Sequence, residues 1–378
     1  FKMISADLNP SKKINLLGMT LIEIEDFFNS IHQKPFRAKQ LIKWIHQRGV
    51  SDFNLMTDFS KELRVLLSDR CEIRSPKVSY EKISIDGTKK WIIDVGENDS
   101  VEMVLIPEGD RSTLCVSSQV GCAINCSFCA TGKQGFSRNL TSDEIIGQVW
   151  IAANSFGLPR TGTDRNITNV VMMGMGEPLH NFDPVVKSMD LMLDTNAYCL
   201  SKRKVTLSTS GLVPEIDKLS KVSDVSLTIS LHAPNDELRN VLVPINKKYP
   251  IQELLDSVKR YVESCDDKRI TTIEYILIDQ VNDSLEIARE LADLLTQLPC
   301  KINLIPFNSF DESDYVKPSG NRVRRFKDYL IERGYITTVR STRGDDIMAA
   351  CGQLVGQVND KTKRKERLNR AKIEVQAL

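Results

Sequence analysis

Apolar and polar positions along this chain follow two rhythms, and the change from one to the other marks its parts. Over residues 20–33 the apolar Leu21, Ile24, Phe27, Phe28 and Ile31 recur at the spacing of one helical face. A second helix is predicted over residues 36–48, after Pro35, with Lys34, Arg37, Lys39, Lys43 and Arg48 on its polar side. From residue 78 to 106 the pattern turns to strand-like alternation, with Asp86-Gly87 as a hairpin turn signal. Further on, strand-like runs at 113–117, 169–173, 205–208, 225–230, 272–277, 302–305 and 336–339 alternate with helical stretches such as 143–153, 252–263, 284–298 and 322–333. Strict alternation predicts a parallel sheet with right-handed crossovers, hence an α/β fold built as an open or closed β/α barrel. The expected organisation is a helical N-terminal domain (1–75), a β-hairpin extension (76–107), a barrel (108–343) and a C-terminal segment (344–378).

Composition adds little until charge is located. The 378 residues are 41% hydrophobic and 27% charged, as in an ordinary globular protein. No apolar run approaches a membrane span, so no membrane partner is expected, and Phe1 to Asn9 show no signal-peptide core. The chain does not open on Met, so a trimmed start or a start at Met3 is expected. Nine cysteines without regular pairing argue against a secreted disulfide scaffold and for a reducing cytoplasm. The net charge of +1 hides a basic tail, residues 361–378, with seven Lys/Arg against two Glu. Such a tail suits a polyanion such as RNA, though a charge run is also what a solvated helix face looks like.

The strongest chemical signal is Cys122, Cys126 and Cys129, spaced C-x3-C-x2-C. Three local thiolates can hold a four-iron cubane and leave one iron open to a substrate or cofactor. The alternative is a zinc knot, but Zn(II) wants four ligands, usually as two pairs, and no second pair follows Cys129. The loop follows the strand at 113–117, which puts it at the barrel rim where chemistry gathers. Other strand ends carry Gly174-Met-Gly-Glu-Pro178, Ser208-Thr-Ser-Gly211, Ser230-Leu-His232 and Pro306-Phe-Asn308. The glycines would let backbone approach a ligand, and Glu177 would accept from an ammonium group. Each run alone could be a turn or helix cap. Four of them at one rim, beside three cysteines, are harder to dismiss.

The cysteine loop, the glycine-rich loop and the strand ladder resemble radical S-adenosylmethionine (SAM) enzymes. With Cys115-Val-Ser-Ser-Gln-Val-Gly-Cys122, Ser230-Leu-His-Ala-Pro-Asn-Asp236 and Arg343-Gly-Asp-Asp-Ile-Met-Ala-Ala-Cys351-Gly-Gln353, the chain resembles the RlmN/Cfr group of adenosine methyltransferases over nearly its whole length. The resemblance implies a partial (β/α)6-type radical SAM barrel with a small helical N-terminal domain and a β extension. It implies one [4Fe-4S] cluster on Cys122, Cys126 and Cys129, and two SAM per turnover. The first SAM methylates Cys351. The second, bound on the open iron, yields a 5′-deoxyadenosyl radical that takes a hydrogen atom from that S-methyl group. The carbon radical adds to C2 of an adenine; Glu102 matches the acceptor of the C2 proton. Cys115 matches the thiol that attacks Cys351 and leaves a Cys115–Cys351 disulfide. SAM contacts carry over to Gly176, Glu177, Ser208, Ser230, Leu231, His232 and Asn308, with a helix-capping histidine as the alternative for His232.

The partners implied are 23S rRNA, tRNA and an electron donor of the flavodoxin type, with the enzyme a cytoplasmic monomer. The helical module, Lys202-Arg203-Lys204, residues 322–327 and the tail are candidates to grip phosphates. Glu102, the long N-terminal extension and the Met-rich loop favour C2 over the related branch that methylates C8. Cys71, Cys199, Cys265 and Cys300 match no motif and are expected to be packing residues. Two rival classes remain: a methylthiotransferase with a second cluster, and a non-enzymatic iron–sulfur or zinc RNA-binding protein.

Overall fold

A computed structural model describes residues 13–158, 160–162, 164–267 and 269–364. Phe1 to Asn9 and most of the basic tail therefore lie outside the described residues. The chain divides into two compact units: Phe1–Pro76 with Thr141–Asn166 and Lys187–Leu200, and Lys77–Leu140 with Ile167–Val186 and Ser201–Leu378. Two segments that the alternation assigns to the barrel, 141–166 and 187–200, thus group with the helical module. Among the described residues no helix is long and apolar enough to cross a membrane.

In the first unit the helix Leu21–Ser30 starts at Thr20, which forms a capping box with Glu23; the Thr20 N–H donates to the Glu23 carboxylate at 2.8 Å. Its periodic apolar face buries Ile24 and Phe28. The second helix runs as α over Phe36–Ile42 and then widens into a π turn, Lys43–Gln47, which buries Trp44, Ile45 and His46 together. Lys34, Lys39, Lys43 and Arg48 stay exposed and Arg37 is half-buried. Cys199 is exposed in a left-handed backbone conformation (φ 51°), so it is not the packing residue expected; Cys71 is buried.

The second unit is built on one ten-stranded sheet. In chain order its strands are β1 Lys77–Ile83, β2 Lys89–Gly96, β3 Asp99–Glu108, β4 Arg111–Cys115, β5 Asn169–Met172, β6 Val205–Thr209, β7 Ser226–Ser230, β8 Thr271–Leu277, β9 Cys300–Pro306 and β10 Thr337–Val339. Their order in the sheet is the order in the chain. β1 to β4 pair antiparallel, and β4 to β10 pair parallel, giving a β/α half joined edge-on to a meander. The expected hairpin turn forms between β1 and β2, with Gly87 at φ 83°.

Among its described residues, 344–364, the C-terminal segment makes no strand, yet it is tightly bonded. Gly344 N–H donates to Asp86 in the β1–β2 turn at 3.0 Å. Ser100 and Gln357 exchange bonds, Ser100 N–H to the Gln357 carbonyl at 2.8 Å and Gln357 N–H to the Ser100 hydroxyl at 2.7 Å. Asn359 N–H donates to Asp99 at 2.9 Å. The segment therefore runs back along β3. On its way it passes the cysteine loop, where Ala130 N–H donates to the Gly352 carbonyl at 2.9 Å. These bonds carry Cys351 to the rim from far away in sequence.

Candidate active site

The cysteine loop lies between two short antiparallel strands, Gln119–Gly121 and Phe136–Asn139. Its backbone is pinned at both ends: Cys122 N–H donates to the Gly135 carbonyl at 2.6 Å, and the Arg364 guanidinium donates to the carbonyls of Cys122 and Ala123 at 3.0 and 3.2 Å. Cys122, Cys126 and Cys129 all line one cavity that opens to solvent. Burial pushes the Cys122 thiol up to about 12, with Cys129 adding to the effect, and raises Cys126 and Cys129 as well. Three neighbouring thiols held up in this way need a cation to exist as thiolates, which is what an iron–sulfur cluster supplies. No group of three His, Cys, Asp or Glu among the described residues is arranged to hold a single metal ion. In a cubane each thiolate takes a different iron, so its ligands stand further apart than around one Zn(II) with bonds of about 2.3 Å. The residues present fit the cluster.

The parallel strands supply the rest of the wall. Glu177, 2% exposed, lines the cavity and is locked by backbone donors: Leu179 N–H to Oε1 at 3.1 Å and Ser210 N–H to Oε2 at 2.8 Å. Burial raises its pKa, and these donors oppose the rise. The two glycines line the cavity and are also required by packing within the protein. A Cβ on Gly174 would meet Ser117 Oγ at 2.7 Å, and one on Gly176 (φ 101°) would meet Gln119 Cβ at 2.5 Å. They let the loop close onto residues 116–119, which leaves Gly176 and Glu177 facing the cavity.

Ser208 and Ser230, at the ends of β6 and β7, face the cavity with hydroxyls 3.4 Å apart. His232 lines it too, at φ 66°. Its Nδ1 accepts from Ile276 N–H at 3.0 Å, so the histidine caps no helix; Asn235 caps the next one. Burial, aided by Arg239, lowers the His232 pKa to about 3 and keeps the ring neutral with Nε2–H free to donate. Leu231 is fully buried and does not line the cavity; its N–H and carbonyl are engaged by Glu274 and Arg239. Asn308 sits in a smaller adjoining cavity, where its amide donates to the Cys351 carbonyl at 3.4 Å and its Oδ1 accepts from Thr342 at 3.1 Å.

Sequence reasoning missed three contributors to this wall. Arg239 is fully buried and donates to the carbonyls of Ser210, Ser230 and Leu231 at 2.7, 3.1 and 2.9 Å, tying the ends of β6 and β7 together. Burial lowers its pKa to about 10, so it stays charged. Arg340 directly follows β10 and lines both cavities. Burial opposes its charge, but Cys351, Glu274 and Cys115 around it hold its pKa up. Glu274, 6% exposed, points into the main cavity from β8 and accepts twice from Asn303, at 3.1 and 2.9 Å. The strand-end rule that found Asn308 also reaches Arg340; nothing in the pattern marks a mid-strand Glu274.

Cys351 lines both cavities, whereas Cys115 is buried at the end of β4 and lines neither. Cys115 nonetheless feels Cys351: burial first, then Cys351, pushes Cys115 up to about 12, while Arg340 lowers both thiols. Glu102 lies on β3, 2% exposed and outside the cavity lining. Its Oε1 is 3.0 Å from Lys90 Nζ, and its Oε2 accepts from Val355 N–H at 3.1 Å. Burial raises its pKa and Lys90 opposes the rise.

Among the candidate phosphate grips, several already have acidic partners. Lys202 pairs with Asp224, Arg203 with Asp267 at 2.8 Å, and Arg322 with Asp283 at 2.5 Å. Exposed Lys34, Lys39 and Lys43 make no ion pair among the described residues. The four unassigned cysteines are split, Cys71 and Cys199 in the first unit and Cys265 and Cys300 in the second.

The sequence profile of the ribosomal RNA large subunit methyltransferase N-terminal domain matches residues 14–73, and that of the radical SAM superfamily matches residues 116–295. The dual-specificity RNA methyltransferase RlmN of Marinomonas sp. is 63% identical over 94% of this chain and 96% of its own length. That of Marinobacter nauticus is 60% identical over the same shares. A crystal structure of a radical SAM methyltransferase from Sphaerobacter thermophilus superposes with a TM-score of 0.83 at 42% identity, covering 90% of this chain and 99% of the other. The radical SAM superfamily carries a [4Fe-4S] cluster and SAM, which the cavity described here fits. The chain belongs to the RlmN family of dual-specificity RNA methyltransferases and is a radical, SAM-dependent methyltransferase.

Proposed function

We propose that this chain methylates C2 of adenine in 23S rRNA and in tRNA through a methylated Cys351, using two SAM molecules in ping-pong order. The observation that supports this best is the position of Cys351, on the wall between the cavity ringed by Cys122, Cys126 and Cys129 and the adjoining one. A thiol there can take a methyl group from one side and offer it to a base on the other. When bound, the cluster and SAM supply a carbon radical able to take a hydrogen atom from an S-methyl group.

The chain's own residues do the rest. Gly176 and Glu177 orient the amino end of SAM, while Ser208, Ser230 and the donating Nε2–H of His232 orient its ribose and adenine. Asn308 holds the Cys351 backbone. Cys351 accepts a methyl group by displacement and becomes bonded through that carbon to adenine C2. Glu102 accepts the C2 proton, a step positioned carboxylates perform well. Once the adduct has lost its unpaired electron, back to the cluster, the Cys115 thiolate attacks the Cys351 sulfur. The bond from that sulfur to the methylene breaks with its pair on carbon, which takes a proton to become methyl, and a Cys115–Cys351 disulfide remains. To reach this wall the adenine must leave its stack.

The exposed lysines of the helical module supply phosphate contacts, and the tail beyond residue 364 adds charge. An external donor of the flavodoxin type supplies electrons, and the working form is a cytoplasmic monomer. The test is anaerobic turnover of the reconstituted protein with SAM, a reductant and unmodified 23S RNA or tRNA, followed by nucleoside mass spectrometry. 2-Methyladenosine is the expected product. 8-Methyladenosine would overturn the regiochemistry, and no methyladenosine with an intact cluster would overturn the reaction.

A further inference from the structure

Glu102 is held by a residue to which the proposed reaction gives no role. Lys90, on β2, is 7% exposed and reaches across to β3, with its Nζ 3.0 Å from Glu102 Oε1. The same ammonium donates to the Met348 carbonyl at 3.3 Å, three residues before Cys351. The other carboxylate oxygen accepts from Val355 N–H at 3.1 Å, four residues after Cys351. Both oxygens are thus bound to the segment that carries Cys351, one directly and one through Lys90. We infer that Lys90 is a positioning residue for proton removal, holding Glu102 as a charged acceptor in register with the Cys351 segment. The inference rests on the reading of Glu102 as proton acceptor.

The surroundings leave Lys90 no substitute. From the loop after β5, Met175 Sδ accepts the Glu102 N–H at 3.4 Å, and Ser117 Oγ donates to the Glu102 carbonyl at 2.6 Å. Both contacts are to the backbone. Among the described residues no second charged group lies within ion-pair distance of the carboxylate. Burial alone pushes Glu102 towards its protonated form, in which it could accept nothing. The plainer reading is a structural ion pair. A buried pair is commonly no more stabilising than apolar residues of equal volume, so stability does not account for two charges here. In the step itself the C2–H bond breaks, an O–H bond forms on Glu102, and the C–H electron pair stays in the ring. Once Glu102 is neutral, Lys90 retains the Met348 carbonyl.

The experiment uses the full chain with its cluster, SAM, reductant and RNA, and compares E102Q, K90M, K90Q and K90R. Three readouts are taken: methyl on the Cys351 peptide, RNA–protein adduct on denaturing gels, and methyladenosine. Cys351 is expected to be methylated in all four variants. E102Q, K90M and K90Q are expected to accumulate adduct while methyladenosine falls on the order of 10²-fold. K90R, which keeps the charge, recovers to within about tenfold of the parent. Adduct in E102Q but not in K90M or K90Q would overturn the role of Lys90. No adduct in E102Q would overturn the reading of Glu102 instead. Loss of Cys351 methylation in both K90M and K90Q would reduce Lys90 to a structural partner and also overturn the inference.

Discussion

The parallel half of the sheet, β4 to β10, and the antiparallel half, β1 to β4, reach the site in opposite ways. In the parallel half one rule repeats: a strand ends, a loop turns, and a polar residue faces the cavity. Glu177, Ser208, Ser230 and His232 all arrive like this, and Arg239 ties the ends of β6 and β7 to each other. In the antiparallel half Glu102 and Lys90 lie within strands. They matter only because residues 344–364 run back along β3 and bring Cys351 with them. The lesson is that local topology builds the cofactor side, whereas long-range backbone bonds assemble the side proposed to act on the nucleotide. The two should therefore fail separately.

The largest effect breaks each side in turn. Cys126→Ala is expected to lose iron and all SAM cleavage, and Cys351→Ala to keep its iron while RNA methylation disappears. Iron assay and chromatography of 5′-deoxyadenosine distinguish them; loss of iron in Cys351→Ala would show that the sides are not separable. Next comes Arg239→Met, which strands three carbonyls on the cofactor side, that of Leu231 fully buried. Losing several charge-assisted bonds should cost about 3–5 kcal/mol of stability, read from urea unfolding.

Gly356→Val attacks the other side. A Cβ there would lie 1.9 Å from the Ser100 carbonyl oxygen, so the segment must lift off β3. A displacement of that order should slow methyl transfer about 10²-fold with iron content unchanged. The smallest effect is acid sensitivity of the parallel half. His232 is held neutral, its pKa lowered to about 3 by burial. Below the unfolded value of about 6.5 the unfolded chain binds a proton that the folded chain does not, so stability falls as pH falls through that window. His232→Gln should flatten the slope by about 1.4 kcal/mol per pH unit in urea titrations between about pH 6 and pH 4.

Much of this is legible in the sequence. Period-2 and period-3.6 patterns marked the strands and helices, and the rim rule collected the strand-end residues that meet at the cavity. The meaning of individual residues was less legible. Gly174 and Gly176 read as room for a ligand, and close packing against 116–119 requires them as well, which no pattern showed. Leu231 sits in a strand-end motif and is fully buried, outside the cavity lining. Lys90 is one of two adjacent lysines in an alternating strand, and register alone decides which of them turns inward. The π turn at Lys43–Gln47 left no mark in the periodicity, since a single widened turn shifts the apolar face by one residue. Tertiary bonding across about 250 residues, as between Glu102 and Val355, leaves no local pattern to read.

One measurement reaches the central claim most directly: peptide mass spectrometry of the reconstituted protein after incubation with SAM and reductant, before RNA is added. A single methyl group on the sulfur of Cys351, lost when RNA is supplied, is the result expected. An unmodified Cys351 in protein that goes on to methylate RNA would contradict the account.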